Sequence, residues 1–401
     1  MSTQPRVATP KPTQEFLSDR IRAMRPSGIR RFFDMLAEMK DVISLTIGEP
    51  DFTTPEPITQ AAIDSLQAGQ THYTANSGIF VLRQLIAADL ETRYGVSYDP
   101  RSELTITVGA SEALDATLRA VCDPGDEVIY HEPCFVAYAP CITLAGGVPV
   151  PIATTDATNF RLTAEVVEAT ITPRTKALFL GYPNNPTGAV LDRSELEAIA
   201  DVVERHDLLV ISDEIYDRLV YGGHEHVAFS ALPGMRDRTV LLGGFSKSYA
   251  MTGWRIGYAA APAGVMAGIA KVHQYGIMCA PTAAQFAAIE ALRSGEPFVR
   301  AMHDEYDRRR RLMTDRLNEI GLLCFEPRGA FYCFPEVTAA TGLDDEAFAE
   351  ALLREEHVAV VPGSAFGASG AGFVRACYAT AYEDIGEAMD RIERFVGRHR
   401  A

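Results

Sequence analysis

This chain is poor in lysine. Among its 37 basic residues only Lys11, Lys40, Lys176, Lys247 and Lys271 are lysines, and arginine supplies the rest of the positive charge. Positive charge is itself in deficit: the formal net charge is −16. That argues against a nucleic acid partner, whose binding rests on basic patches, and against an anionic membrane surface. There is no C-x-x-C. The seven cysteines (Cys122, Cys134, Cys141, Cys279, Cys324, Cys333, Cys377) are scattered, odd in number and mostly set in apolar runs. They read as buried free thiols of a reducing compartment, not a disulfide frame. The nine histidines form no H-E-x-x-H or comparable cluster, so no metal is expected. No run of 18 apolar residues occurs, and MSTQPRVATPKPTQ lacks the apolar centre of a signal peptide. A cytoplasmic protein with a loose first dozen residues is the expectation. No internal repeat or low-complexity segment is present.

What is there is an ordinary globular mix, 47% apolar and 22% charged over 401 residues. That length suggests two or three domains, or one large α/β domain with a smaller one appended. Pro26-Ser27 reads as a helix start, with Ile29, Phe32, Phe33, Leu36 and Met39 on one face and a stop near Asp41. Val42–Leu45 then runs into Gly48-Glu49-Pro50-Asp51, a loop signal. From about residue 80 to 265, strands alternate with helices. Strands are predicted at Leu104–Val108, Glu127–Tyr130, Val148–Ile152, Ala177–Leu180, Leu208–Ile211, Thr239–Leu242 and Arg255–Ala260. Helices are predicted at Ser111–Val121, towards Leu144, and at Arg193–His206. This is the βαβ signature of a large, mostly parallel sheet covered by helices. After Pro281 the pattern changes to a long helical stretch, Thr282–Ile320, whose Arg308–Arg311 run is expected on a solvated face. A strand at Phe331–Phe334, a helix at Asp344–Glu356, strands at Val358–Val361 and Gly372–Cys377, and a helix at Tyr382–Arg398 complete an α+β smaller domain.

In open α/β sheets ligands sit beyond the carboxyl ends of the strands, and several polar groups of this chain fall there. Gly109-Ala110-Ser111 lies between a strand and a helix start; it is either an anion seat or an ordinary turn. Asn184-Asn185-Pro186-Thr187-Gly188 is a turn by composition, though Asn185 can donate an amide N–H to a phenolate oxygen. Asp213 ends a strongly apolar strand, where a carboxylate is costly. It is either a helix cap or the partner of a pyridinium N–H, with Tyr216 near the ring oxygen. Arg375, inside the apolar run FVRACYA, needs an anion: an internal Asp or Glu, or a substrate carboxylate held bidentate. Lys247 stands among Gly, Phe and Ser in GGFSKSYAMTGWRIGY. Lysine can lose its proton when its pKa is lowered and arginine cannot, and only a primary amine forms an imine with a carbonyl. Arg255, eight residues on, can fork onto a phosphate. An imine-forming lysine beside a phosphate-binding arginine points to pyridoxal phosphate; a turn lysine and a surface arginine are the plain alternative.

Together with IGEPDFTTP, HYTANSGI, TVGASEAL, NNPTGAV, ISDEIYDRLVY, GAFY and VVPGSAFG, these segments resemble the class I/II aminotransferases of the fold-type I pyridoxal-phosphate enzymes, from about Arg20 to Arg398. The resemblance implies an α/β large domain with a mostly parallel seven-stranded sheet between helices (51–285). It also implies a smaller α+β domain (15–50 with 286–401) and a flexible arm (1–14). By position it makes Lys247 the catalytic, cofactor-carrying lysine. Ala110, Ser111, Ser246 and Arg255 would hold the phosphate, and Asp213 the pyridine nitrogen. Asn185 and Tyr216 would hold the ring oxygen, Phe135 would stack on the ring, and Arg375, Gly48 and Asn185 would take the substrate carboxylate. Tyr73 would reach the phosphate of a neighbouring subunit, implying a homodimer with shared sites. Phe135 stands where relatives often have Trp, and Gly244 where some have a phosphate-binding Ser. The implied reaction moves the amino group of an L-amino acid (aromatic, aspartate or similar) to a 2-oxo acid such as 2-oxoglutarate, by double displacement. A carbon–sulfur β-lyase or an aminocyclopropane-carboxylate-synthase-like enzyme is the alternative. A dicarboxylate substrate would want a second cation, for which Arg328 or an arginine of the first helix (Arg30, Arg31) is the candidate.

Overall fold

The structure is a computed structural model, and it describes residues 16–24, 39 and 41–400. The 1–14 arm, the helix expected to start at Pro26, Arg30 and Arg31 lie outside the described residues. Twelve strands follow: β1 Ile43–Ser44, β2 Leu104–Thr107, β3 Glu127–Glu132, β4 Val148–Ala153, β5 Thr175–Leu180, β6 Leu209–Asp213, β7 Thr239–Gly244, β8 Gly257–Ala260, β9 Tyr332–Cys333, β10 Val358–Ala359, β11 Val361–Pro362 and β12 Val374–Cys377. Seven of them form one sheet in the order β2-β8-β7-β6-β5-β3-β4. Its pairs are parallel except those of β8, which runs against both of its neighbours. The expected sheet is therefore present, with one strand reversed.

The near-continuous apolar runs of β5, β6 and β7 follow from burial on both faces. Neighbours along a strand face opposite ways. Ile129, Leu178 and Val210 join a core with Ile199 and Val203 of the helix Arg193–Arg205. Val128, Phe179 and Ile211 join another with Leu114 and Leu118 of the helix Gly109–Val121. A third core spreads under β2 and β8 to the helices Glu56–Gln67 and Phe80–Tyr94, through Ile58, Leu82 and Ile86.

The expected helical stretch 282–320 is two helices, Thr282–Ser294 and Glu296–Ile320. They part at Gly295, where a Cβ would lie 2.4 Å from the Ala291 carbonyl and 2.7 Å from the Tyr249 ring. The first packs Ala284, Ala287, Ala288 and Ala291 into the core with Ile58 and Leu82. The second packs Met302, Tyr306, Met313 and Leu317 into a separate core. That core is shared with the helices Asp345–Glu356 and Tyr382–His399 and with a β11-β12-β9 sheet. The expected strand 358–361 is also split: β10 pairs with β1, and β11 with β12.

Two of the four arginines expected on a solvated face are buried. Arg309 bonds both oxygens of Asp51 at 2.9 Å and Glu305 at 2.8 Å; Arg310 reaches Asp307 and Glu326, both at 2.9 Å. Adjacent positions on a helix lie about 100° apart, so a run of four cannot share one face. Here carboxylates meet the inward pair. The Arg309–Asp51 contact ties the long helix to the loop that carries Gly48.

Candidate active site

The carboxyl edge of the large sheet collects the polar groups. β2 leads into Gly109, β5 towards Asn185, β6 into Asp213–Tyr216 and β7 into Ser246-Lys247. Arg255 precedes its strand, contrary to the expected strand start: it has φ +52° and β8 begins at Gly257. Because β8 is reversed, its first residue pairs with Thr107 and Gly244 at the same edge. The strand that breaks the parallel pattern is thus the one that delivers Arg255 to the others. A cavity of ≈340 Å³ at this edge is lined by Gly48, Ala110, Ser111, Phe135, Asn185, Asp213, Tyr216, Ser246, Lys247, Arg255 and Arg375. Tyr73 is not among them: it is 79% exposed and flanks an outer hollow with Ile277 and Cys279. Arg328 is also elsewhere, half-exposed and 3.9 Å from Glu326.

Glycines make close approaches possible at the phosphate-seat end. Gly109 has φ +74°, and a Cβ there would lie 2.6 Å from the Arg255 guanidinium. A Cβ on Gly257 would lie 2.6 Å from the Ala110 nitrogen. Arg255 bonds only the Thr252 carbonyl, at 3.1 Å, and pairs with no carboxylate among the described residues. A free guanidinium against the first turn of a 13-residue helix is an anion seat, since the first backbone N–H groups of a helix have no partner inside it.

Also lining the cavity, Arg375 is 5% exposed, yet no carboxylate meets it among the described residues. It donates to the Asn185 Oδ1 at 2.9 Å and to the Thr46 carbonyl at 2.5 Å, and its Nε has no partner. Among the described residues, no internal Asp or Glu stands beside it to make it structural. Arginine can only donate, so Asn185 must turn its oxygen to Arg375. Its NH₂ is left free to donate into the cavity.

The same cavity holds an amine and a buried carboxylate. Lys247 donates to the Gly48 carbonyl at 2.6 Å. Burial pulls its ammonium down to about 8, with Arg375 and Arg255 pushing the same way. Asp213 accepts from the Tyr138 hydroxyl at 2.9 Å and from the Ile215 N–H at 3.2 Å. No helix follows it, so the cap alternative falls. Burial raises its carboxyl to about 6 against those two donors. A charge so placed suits a cationic ring nitrogen.

Sequence reasoning missed Tyr138, Tyr332 and Thr46. Tyr138 reaches Asp213 because Gly181 has no Cβ, which would sit 2.5 Å from the phenol oxygen. Its only signal was a second aromatic three residues after Phe135. Tyr332 stands within the GAFY segment, and its phenol oxygen lies 2.8 Å from that of Tyr216.

The sequence pattern of "Aminotransferase class I and II" matches residues 40–392. The chain belongs to this family. It is 51% identical over 381 residues to the putative aminotransferase YugH of Bacillus subtilis, covering 95% of this chain and 98% of that one. It is 47% identical to an aspartate aminotransferase of Pyrococcus abyssi, covering 94% and 97%. Among solved structures, the aromatic aminotransferase of Pyrococcus horikoshii superposes with a TM-score of 0.88 at 46% identity, covering 92% and 99%. The chain is therefore a fold-type I, pyridoxal-phosphate-dependent aminotransferase. Its cavity fits that cofactor. The amine of lowered pKa would meet an aldehyde, the Gly109–Arg255 seat a phosphate, buried Asp213 a ring nitrogen, and the free amide of Asn185 a ring oxygen.

Proposed function

We propose that this enzyme transfers the amino group of an L-amino acid with an aromatic, aspartate or similar side chain to a 2-oxo acid, with 2-oxoglutarate the acceptor. The observation that carries this reading is Arg375: a buried cation, paired with no carboxylate among the described residues, lining the same cavity as Lys247 and Arg255. It grips the α-carboxylate, with the Gly48 backbone and Asn185 beside it. The amino group then lies over Lys247. Arg255, Ser246, Ser111 and the Ala110 backbone hold the phosphate. Asp213 keeps the pyridine nitrogen protonated, Asn185 and Tyr216 donate to the ring oxygen, and Phe135 stacks on the ring. The bound cofactor supplies an electron sink for the α-carbon's charge. Lys247, neutral once freed near its lowered pKa, takes the α-proton and returns it.

The cations lining the cavity among the described residues are Lys247, Arg255 and Arg375, each with one of these tasks. An aromatic side chain needs no further cation, and Phe135, Tyr138, Leu114 and Ile215 offer it apolar walls. An aspartate side chain would draw its cation from a second copy or from the segment holding Arg30 and Arg31. The second copy belongs to the same proposal. Tyr73, Tyr275, Ile277 and Met278 are 79%, 88%, 45% and 45% exposed, an apolar patch that a homodimer would cover. There Tyr73 would reach the partner's phosphate. A cytoplasmic setting accords with the free cysteines, and no described helix is long and apolar enough to cross a membrane.

The test is initial rates for phenylalanine, tyrosine and aspartate as donors, each varied against 2-oxoglutarate. Parallel double-reciprocal lines with an aromatic donor support the proposal. Ammonia, pyruvate and a free thiol released from an S-substituted cysteine, with no oxo acid present, would replace it with the β-lyase reading.

A further inference from the structure

Tyr332 is fully buried and lines the cavity, at the start of the short strand β9. Three contacts converge on it. Its hydroxyl lies 2.8 Å from that of Tyr216. The Arg375 guanidinium sits over its ring, 4.5 Å from the centroid. Gly48 leaves room for its oxygen, since a Cβ there would lie 2.6 Å away. Tyr332 therefore touches a ring-oxygen donor, the carboxylate-binding arginine and the loop whose carbonyl holds Lys247.

The two phenols share one hydrogen bond, so one proton is used between them and the other is left to point elsewhere. Burial raises both phenols and Arg375 pulls both back, but its guanidinium sits over the ring of Tyr332. A cation on its face makes Tyr332 the more acidic of the two, hence the better donor. The proton left over is then that of Tyr216, and both phenols line the cavity.

We propose that Tyr332 is a positioning residue of this enzyme: its O–H donates to the Tyr216 oxygen and so commits the Tyr216 proton to the cofactor's ring oxygen. This rests on the assignment of Tyr216 above and deepens it. A phenol that accepts a hydrogen bond donates more strongly. Stronger donation favours the form in which the ring oxygen carries most negative charge, the one lacking a proton on the nitrogen that joins the cofactor to Lys247.

The test is the pH titration of the visible absorption of resting holoenzyme, with no substrate present. Tyr332→Phe keeps the ring under Arg375 and removes only the O–H. The midpoint should rise by about 0.1–0.7 pH unit, the effect of losing one cooperative bond behind a charge-assisted one. Tyr216→Phe should raise it further, and the double variant should match Tyr216→Phe alone, because Tyr332 acts through Tyr216. A ring-fluorinated, more acidic tyrosine at position 332 should lower the midpoint. A Tyr332→Phe midpoint equal to wild type while Tyr216→Phe shifts it would leave Tyr332 a packing residue and overturn the proposal. Shifts of Tyr332→Phe and Tyr216→Phe that simply add would also overturn it. If Tyr216→Phe itself moves nothing, the Tyr216 assignment fails first, and the proposal with it.

Discussion

Replacing Arg375 separates function from folding. Arg375→Met keeps most of the volume and removes the charge. A charge-assisted hydrogen bond contributes about 1.5–3 kcal/mol, so a bidentate grip on the substrate carboxylate is worth roughly 3–6 kcal/mol. At about 1.4 kcal/mol per decade, kcat/KM for every amino donor should fall by about 10²–10⁴-fold. Stability should behave differently. Replacing buried charge by an apolar side chain of similar volume is neutral to stabilising by about 1–4 kcal/mol, and among the described residues no carboxylate is left unpaired by it. Against that, the buried Thr46 carbonyl loses its donor, at a cost of about 1–3 kcal/mol. The two nearly cancel, so urea denaturation of the cofactor-free protein should place the variant within about 1.5 kcal/mol of wild type. Arg375→Lys, which keeps the charge but not the fork, should recover only part of the activity. The reasoning is refuted if Arg375→Met loses 3 kcal/mol or more of stability, roughly what breaking a buried ion pair costs. It is equally refuted if kcat/KM falls by less than about tenfold.

Two further outcomes follow from the buried ionisable groups. Asp213 has a folded pKa raised from 3.8 to about 6, so the folded protein binds the extra proton and cofactor-free stability should fall as pH rises from 3.8 to about 6. Asp213→Asn should flatten that limb in denaturation curves and slow turnover by about 10²–10³-fold. An unchanged limb would mean Asp213 is solvated. His273 is 1% exposed, and both ring nitrogens face acceptors: Glu112 Oε1 at 2.6 Å and the Asn76 carbonyl at 2.9 Å. Both nitrogens must then carry protons, and the Glu112 bonds hold the imidazolium's pKa above the usual 6.5 in spite of burial. Its stabilisation is full below about 6.5 and is lost as pH rises through the folded value. His273→Gln should remove that decline, read as the difference between wild-type and variant melting curves from pH 6 to 9; parallel curves would show a neutral ring.

Most of this was legible in the sequence because the site lies where strands end. Apolar runs gave the strands, and a carboxylate after Ile211-Ser212 or an amine after Gly243-Gly244 is conspicuous against such neighbours. Less legible was anything that depends on which way a strand runs. Arg255 reads as a strand residue, and only the reversed pairing of β8 explains how it reaches the helix start at Gly109. Side chains arriving from another element were invisible for the same reason. Tyr138 meets Asp213 across 75 residues, past a glycine whose role is an empty space. The Arg308–Arg311 run misled because carboxylates far along the chain, Asp51 and Glu326, decide which of its members are buried. Arg328 sat near GAFY in sequence, but in space it turns away from the cavity.

The most direct test of the account is to find the lysine that carries the cofactor. Holoenzyme would be reduced with borohydride, digested, and its modified peptide sequenced by mass spectrometry. The account predicts one modified site, Lys247 in the peptide spanning Gly243–Arg255. Modification at Lys176, which is 44% exposed and 3.2 Å from Asp126, at Lys271, or at no lysine would contradict it.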